Sequence, residues 1–242
     1  MAIVAVPDVL ALDVTCPVEV FALANRWLPE QERYQVALLA PRAGPLPAFG
    51  GLSLLAERSL ADPLDGELDT LVVAGGEGVF DVLGSAPLVA AVGRLAGRAR
   101  RVAGICTGAF LLGAAGLLAG RRVTTHRNRC DELAERWPDA LVEREVLFIC
   151  DDSIATTAGR TAGVDLALSF VEEDHGRAFA VRVGRELADF LVAHGRVRSG
   201  GPPPRPDDAG LPALLHWIIG NAPILEACNT GGRGPLKVRG RP

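Results

Sequence analysis

Zinc-ligand spacing, a disulfide framework and a surplus of positive charge are all missing from this chain, and each absence narrows what it does. No two cysteines form a CxxC pair, and the four histidines fall at no metal-ligand spacing, so the sequence offers no zinc site. The five cysteines (Cys16, Cys106, Cys130, Cys150 and Cys228) are odd in number and scattered, unlike the paired frameworks of small secreted domains. A net charge of −4 gives no general attraction to nucleic acid. The opening MAIVAVPDV lacks the basic region and cleavage site of a secretory signal. We therefore expect a cytoplasmic protein with no membrane partner, no metal and no cofactor.

Long apolar runs are scarce as well. Residues 102–120 carry no charge, but five glycines interrupt them, whereas a spanning helix wants about 20 mainly apolar residues without an internal turn. The run divides into a strand and a helix, and fits the buried core of an α/β domain. With 242 residues, 49% of them hydrophobic, the chain can fill one large domain and leave an appendage. There is no internal repeat.

Apolar runs of strand length alternate with helix-like segments. Strands are expected at residues 2–6, 34–40, 70–74, 102–105, 122–125, 147–150 and 154–156, with 52–54 as one arm of a small edge hairpin. Helices are expected at 17–25, 87–98, 107–118, 129–136, 161–173 and 177–191. Pro87 suits a first helical turn, and Trp137-Pro138 stops the helix before it. This alternation predicts an α/β fold with a mostly parallel sheet covered on both faces. In such sheets the sites lie beyond the carboxyl ends of the strands. From Ser199 the composition changes: SGGPPPRPDDAG is a linker, LPALLHWIIGN can form a short helix, and the remainder is a basic tail without sustained period. A solvated tail is the simpler reading of it. We expect a domain over residues 1–197 and a linker with irregular tail over 198–242.

Cys106 stands where the 102–105 strand meets the following helix. A side chain on such a turn is pushed out of the sheet's end toward solvent. The helix N-terminus favours an anion there, and together these lower a thiol's pKa. Gly104 and Gly108 fit a place where backbone passes close to something. The plainer alternative is one more buried cysteine.

Three segments supply partners. In LDVTCPVEVF, Asp13 and Glu19 are either caps and dipole partners or proton carriers for the thiol. In Gly75-Gly76-Glu77-Gly78, successive amides can converge on a developing negative charge, although many βα turns need glycine for conformation alone. In Thr124-Thr125-His126, His126 is the residue type that moves protons near neutral pH, or a structural histidine.

Together these segments resemble the ThiJ/PfpI superfamily, which is similar in fold to class I glutamine amidotransferases. LDVTCPVEVF resembles its LD-x-x-GP-x-EVF loop, AGGEG its PGG-x-G turn, and GICTGAFLLGAAGLLAGRRVTTH its cysteine elbow with the TTHW strand. WPDALVEREVLF and TTAGRTAGVDLALSFVEEDHG are similar to later segments of the AraC-type, GlxA-like regulators, and isonitrile hydratase is a second similar branch. The resemblance covers residues 1–197. It implies a flavodoxin-like three-layer α/β sandwich, usually a homodimer, with a nucleophile-elbow cysteine. It implies catalytic roles for Cys106, Asp13 and His126, and backbone oxyanion donors near Gly76 and Thr107. Beside these, Glu19, Cys16 and Glu77 are candidate auxiliary residues read from their place near the site.

Three positions depart from the pattern. Cys16 replaces a glycine, Arg127 a tryptophan, and Ala74 a proline. The regulators also continue into two helix-turn-helix units, which place a recognition helix in the major groove. LPALLHWIIGN resembles the start of that region and ACNTGGRGPLKVRGRP does not continue it. The expected function is a small-molecule-sensing domain of regulator type with a reactive cysteine, without specific DNA binding of its own. The alternative is a cysteine-dependent enzyme of isonitrile hydratase or amidase type using Cys106 and Asp13.

Overall fold

The computed structural model describes residues 1–63, 66–159 and 161–187. The expected linker, the basic tail and Cys228 lie outside the described residues.

Eleven short strands form among the described residues, and the central ones, buried on both faces, are mostly apolar. They are β1 (Ala2–Val4), β2 (Ala37–Ala40), β3 (Gly44–Pro47), β4 (Ser53–Ala56), β5 (Arg58–Ser59), β6 (Leu68–Val73), β7 (Ala99–Ile105), β8 (Arg122–Val123), β9 (Leu141–Val142), β10 (Phe148–Asp151) and β11 (Ile154–Thr157). Seven of them form the main sheet in the order β10-β11-β7-β6-β1-β2-β5. Every pairing in that sheet is parallel except β10 with β11. β3 and β4 make a separate antiparallel hairpin, and β8 pairs with β9 in parallel. Val4 lies opposite Val73, Val73 opposite Gly104, and Ile105 opposite Thr157. Four carboxyl ends thus meet along one edge. The chain turns toward β2 after β1 and returns to place β6 on β1's other side, so the switch in strand order falls between β1 and β6.

The helices are α1 (Ala11–Ala24), α2 (Gly78–Val82), α3 (Ala86–Ala96), α4 (Gly108–Ala114), α5 (Cys130–Arg136) and α6 (Ala162–His175), followed by helical backbone over residues 177–187. Alternate strand residues feed two cores. Ile3, Ala5, Val72 and Ile105 pack with Phe21 of α1 and Phe170 of α6 on one face. Val4, Val73 and Val102 pack with Val92 of α3 and Leu111 of α4 on the other. Helix, sheet and helix make three layers. Among the described residues no helix is long and apolar enough to cross a membrane.

Several boundaries differ from expectation, two of them close to the cysteine. α1 starts at Ala11 rather than residue 17, which places Pro17 inside the helix and Asp13 in its first turn. Proline has no N–H, so the helical bond to the Asp13 carbonyl is not made. α4 ends at Ala114, and Gly116 follows with φ +76°. The amino-terminal edge of the sheet is closed by charge. Buried Arg101 donates to Thr70 Oγ1 at 2.8 Å, pairs with Glu173 at 3.0 Å and with Asp174, and lies 4.3 Å over the Phe170 ring. Tyr34 donates to the same Asp174 at 2.9 Å, which ties the end of α6 to β7 and to the segment before β2.

Candidate functional site

Cys106 follows β7 directly and holds φ +55°, a left-handed conformation that non-glycine residues adopt at a cost. Its N–H donates to the Thr157 carbonyl at 3.2 Å, and its carbonyl accepts from Thr125 Oγ1 at 2.7 Å. Two glycines leave room for the side chain. A Cβ on Gly159 would lie 2.9 Å from Cys106 Sγ, and one on Gly75 would lie 2.8 Å from Cys106 Cβ. A Cβ on Gly108 would sit 2.1 Å from the Val73 carbonyl oxygen, and one on Gly104 2.9 Å from Leu112 Cδ1. The expected close approaches at Gly104 and Gly108 are present. The solvent reach expected of the thiol is not: Cys106 is 2% exposed, because the β6, β8 and β11 loops close over the turn.

Asp13 is fully buried, and its Oδ2 accepts from the Gly75 N–H at 3.1 Å. The same Oδ2 lies 2.8 Å from the point where a Gly75 Cβ would stand, so carboxylate and cysteine flank one glycine. Thr107 Oγ1 accepts from the Gly76 N–H at 2.8 Å and faces the Gly76 carbonyl at 2.9 Å. That hydroxyl holds the β6 turn instead of capping α4, which has no side-chain cap bond. An oxyanion at Gly76 would therefore need the Thr107 hydroxyl to turn away.

The remaining expected residues divide. Cys16 is half-buried and free, and burial together with the Asp13 charge pushes its thiol up to about 11. Glu19 is exposed on α1 and is not brought to the cysteine, because six residues of helix turn it about 240° away from Asp13. Glu77 is exposed and pairs with Arg129 at 2.8 Å, and that guanidinium lies 4.5 Å over the Phe80 ring. His126 is half-buried at the start of a 3₁₀ turn, Arg127–Arg129, where its Nδ1 accepts from Asn128 N–H at 3.4 Å. Its chain neighbour Thr125, rather than His126 itself, holds the Cys106 carbonyl. Arg127 is exposed.

Sequence reading passed over Gly159 and the buried threonines Thr125 and Thr157. The signal for Gly159 is a glycine just past a strand end on the same edge as the cysteine. Threonines there read as ordinary strand residues.

A model of the DJ-1/PfpI family matches residues 1–173. The chain belongs to this family. Among curated proteins it is 33% identical over 209 residues to the HTH-type transcriptional regulator CdhR of Pseudomonas aeruginosa, covering 86% of this chain and 57% of that protein. It is 32% identical over 207 residues to the HTH-type transcriptional regulator GlxA of Rhizobium meliloti, covering 84% of this chain and 60% of the regulator. It is 35% identical over 168 residues to isonitrile hydratase of Pseudomonas putida, covering 69% of this chain and 68% of that protein. The chain thus spans less than two thirds of either regulator. Among solved structures it is similar in fold to a ThiJ/PfpI family protein from Pseudomonas syringae, with TM-score 0.67, 24% identity, and coverage of 96% of this chain and 90% of the other. An AraC family transcriptional regulator from Pseudomonas putida gives TM-score 0.64 at 23% identity, covering 77% of this chain and 97% of that one. Asp13 of the first turn of α1, the glycine turn after β6 and Cys106 after β7 meet at one sheet edge. They set a thiol and a carboxyl group on either side of one glycine.

Proposed function

We propose that this chain carries the small-molecule-sensing unit of a regulator-type protein, with the ligand held at Cys106 and Asp13. The observation that carries the reading is the pair itself: a fully buried carboxylate and a cysteine in a left-handed turn, on either side of Gly75. Similarity to two transcriptional regulators over more than four fifths of this chain favours sensing. We assign no DNA-reading surface to residues 1–187, and DNA selectivity is not part of this unit's role. The unit works as a homodimer. Support for this is the β3–β4 hairpin, which exposes Phe49, Leu52 and Leu55, while Leu12 of α1 is exposed as well. Apolar patches of this kind mark interaction sites. Phe49 N–H donates to the Val9 carbonyl at 2.9 Å, which joins that hairpin to the segment leading into the site.

The buried carboxylate beside the thiol favours a second reading, hydration of an isonitrile. Cys106 sulfur would add to the terminal carbon while Asp13 delivers a proton to it. The resulting thioimidate would take up water at the same carbon and expel the thiol, leaving an N-substituted formamide. A thermal-shift screen of small metabolites, an alkyl isonitrile among them, tests both readings. A sensor gives a rise in Tm that Asp13→Asn weakens, with the ligand recovered unchanged and the protein sedimenting at twice the chain mass. A hydratase gives the formamide, and loses it in Asp13→Asn and Cys106→Ser. Ligands that shift wild type and Asp13→Asn equally would place binding elsewhere and overturn both.

A further inference from the structure

The Cys106 carbonyl takes only a long bond from its own helix. Phe110 N–H donates to the Thr107 carbonyl at 3.0 Å, and Ala109 N–H reaches the Cys106 carbonyl only at 3.4 Å. The short bond to that carbonyl comes from elsewhere in the chain, from Thr125 Oγ1 at 2.7 Å. Thr125 is fully buried, so its hydroxyl is held to this acceptor with water excluded. The residue before Thr125 is anchored to two other segments. Thr124 N–H donates to Thr156 Oγ1 at 2.8 Å, and Thr124 Oγ1 to the Glu143 carbonyl at 2.7 Å. Thr157 takes the Cys106 N–H on its carbonyl, and its own hydroxyl accepts from Gly159 N–H at 3.1 Å. A residue in a sparsely populated conformation persists only when its surroundings over-determine it. Here both peptide groups of Cys106 are bonded to threonines of other segments.

We propose that Thr125 is a positioning residue for Cys106: its hydroxyl makes the short bond to the Cys106 carbonyl, fixes the left-handed turn, and so holds the side chain between Gly75 and Gly159. The proposal rests on the reading of Cys106 as the working thiol of the site. Valine keeps the shape of threonine but cannot donate, and serine keeps the donor with less bulk. Thr125→Val and Thr125→Ser are therefore compared with wild type in two measurements: the rate of Cys106 alkylation by iodoacetamide near neutral pH, and amide hydrogen exchange of the peptide covering residues 104–110. Thr125→Val should slow alkylation about tenfold, the size of one lost buried hydrogen bond, and Thr125→Ser should stay within about twofold of wild type. Exchange should speed up in the valine variant alone. Equal rates and equal exchange in wild type and Thr125→Val would overturn the proposal, as would equal damage in the serine and valine variants. If Thr125→Val does not fold, Thr125→Ala removes the same hydroxyl. If wild-type Cys106 resists alkylation, the reading of the site fails, and the exchange comparison decides the positioning claim by itself.

Discussion

The site is made at the residue scale by what glycine omits. Gly159 holds φ +107°, and a Cβ there would stand 2.9 Å from Cys106 Sγ. Gly159→Ala therefore combines backbone strain with a collision, and should cost about 2 kcal/mol or more in urea denaturation while slowing alkylation of Cys106. Gly116 is the control: at φ +76° it has nothing within 4 Å of its Cβ position, so Gly116→Ala should cost about 1 kcal/mol and leave the thiol alone. If Gly159→Ala denatures and reacts like wild type, the packing described around the thiol is wrong. The position of Cys106 was legible because a cysteine between a strand and a helix is a local pattern, whereas the place of Asp13 inside the first turn of α1 was not. Gly159 and Thr125 were not legible either, since their importance comes from strands adjacent in the sheet but far apart in sequence.

At the element scale, α6 carries a buried carboxyl group that its amphipathic pattern does not explain. Asp165 is 2% exposed, and its Oδ1 has no hydrogen-bond partner. Burial pushes this carboxyl up to about 7, against about 3.9 in an unfolded chain. Between those values the folded protein keeps a proton that the unfolded chain has released, so this group makes stability fall as pH rises. The loss should be seen as a lower urea midpoint at about pH 7 than at about pH 5, and Asp165→Asn should reduce that difference. A variant with the same slope as wild type would mean that the carboxyl finds a partner in solution. The sequence announced most elements here but misjudged their ends. Pro17 reads as a helix start because it fits a first turn, yet α1 begins six residues earlier at Ala11. The apolar run after Cys106 reads as one long helix, yet α4 has only seven residues.

At the scale of the whole molecule, the alternation of strands and helices was enough to predict a covered, mostly parallel sheet. The order of its strands was not legible, because the switch between β1 and β6 depends on long crossovers. That order brings the loops after β1, β6 and β7 together at one edge. On the proposed function, this edge makes Cys106 the most reactive of the free cysteines among the described residues. Among the other cysteines of the described residues, burial and Asp13 push Cys16 up to about 11, burial raises Cys130, and Cys150 is disulfide-bonded. The most direct measurement is limited alkylation of the native protein with iodoacetamide near neutral pH, read site by site by peptide mass spectrometry. The account predicts that Cys106 is modified first, well ahead of Cys16 and Cys130, and that Asp13→Asn changes its rate. Labelling led by Cys16 or Cys130, with Cys106 inert until the protein unfolds, would contradict it.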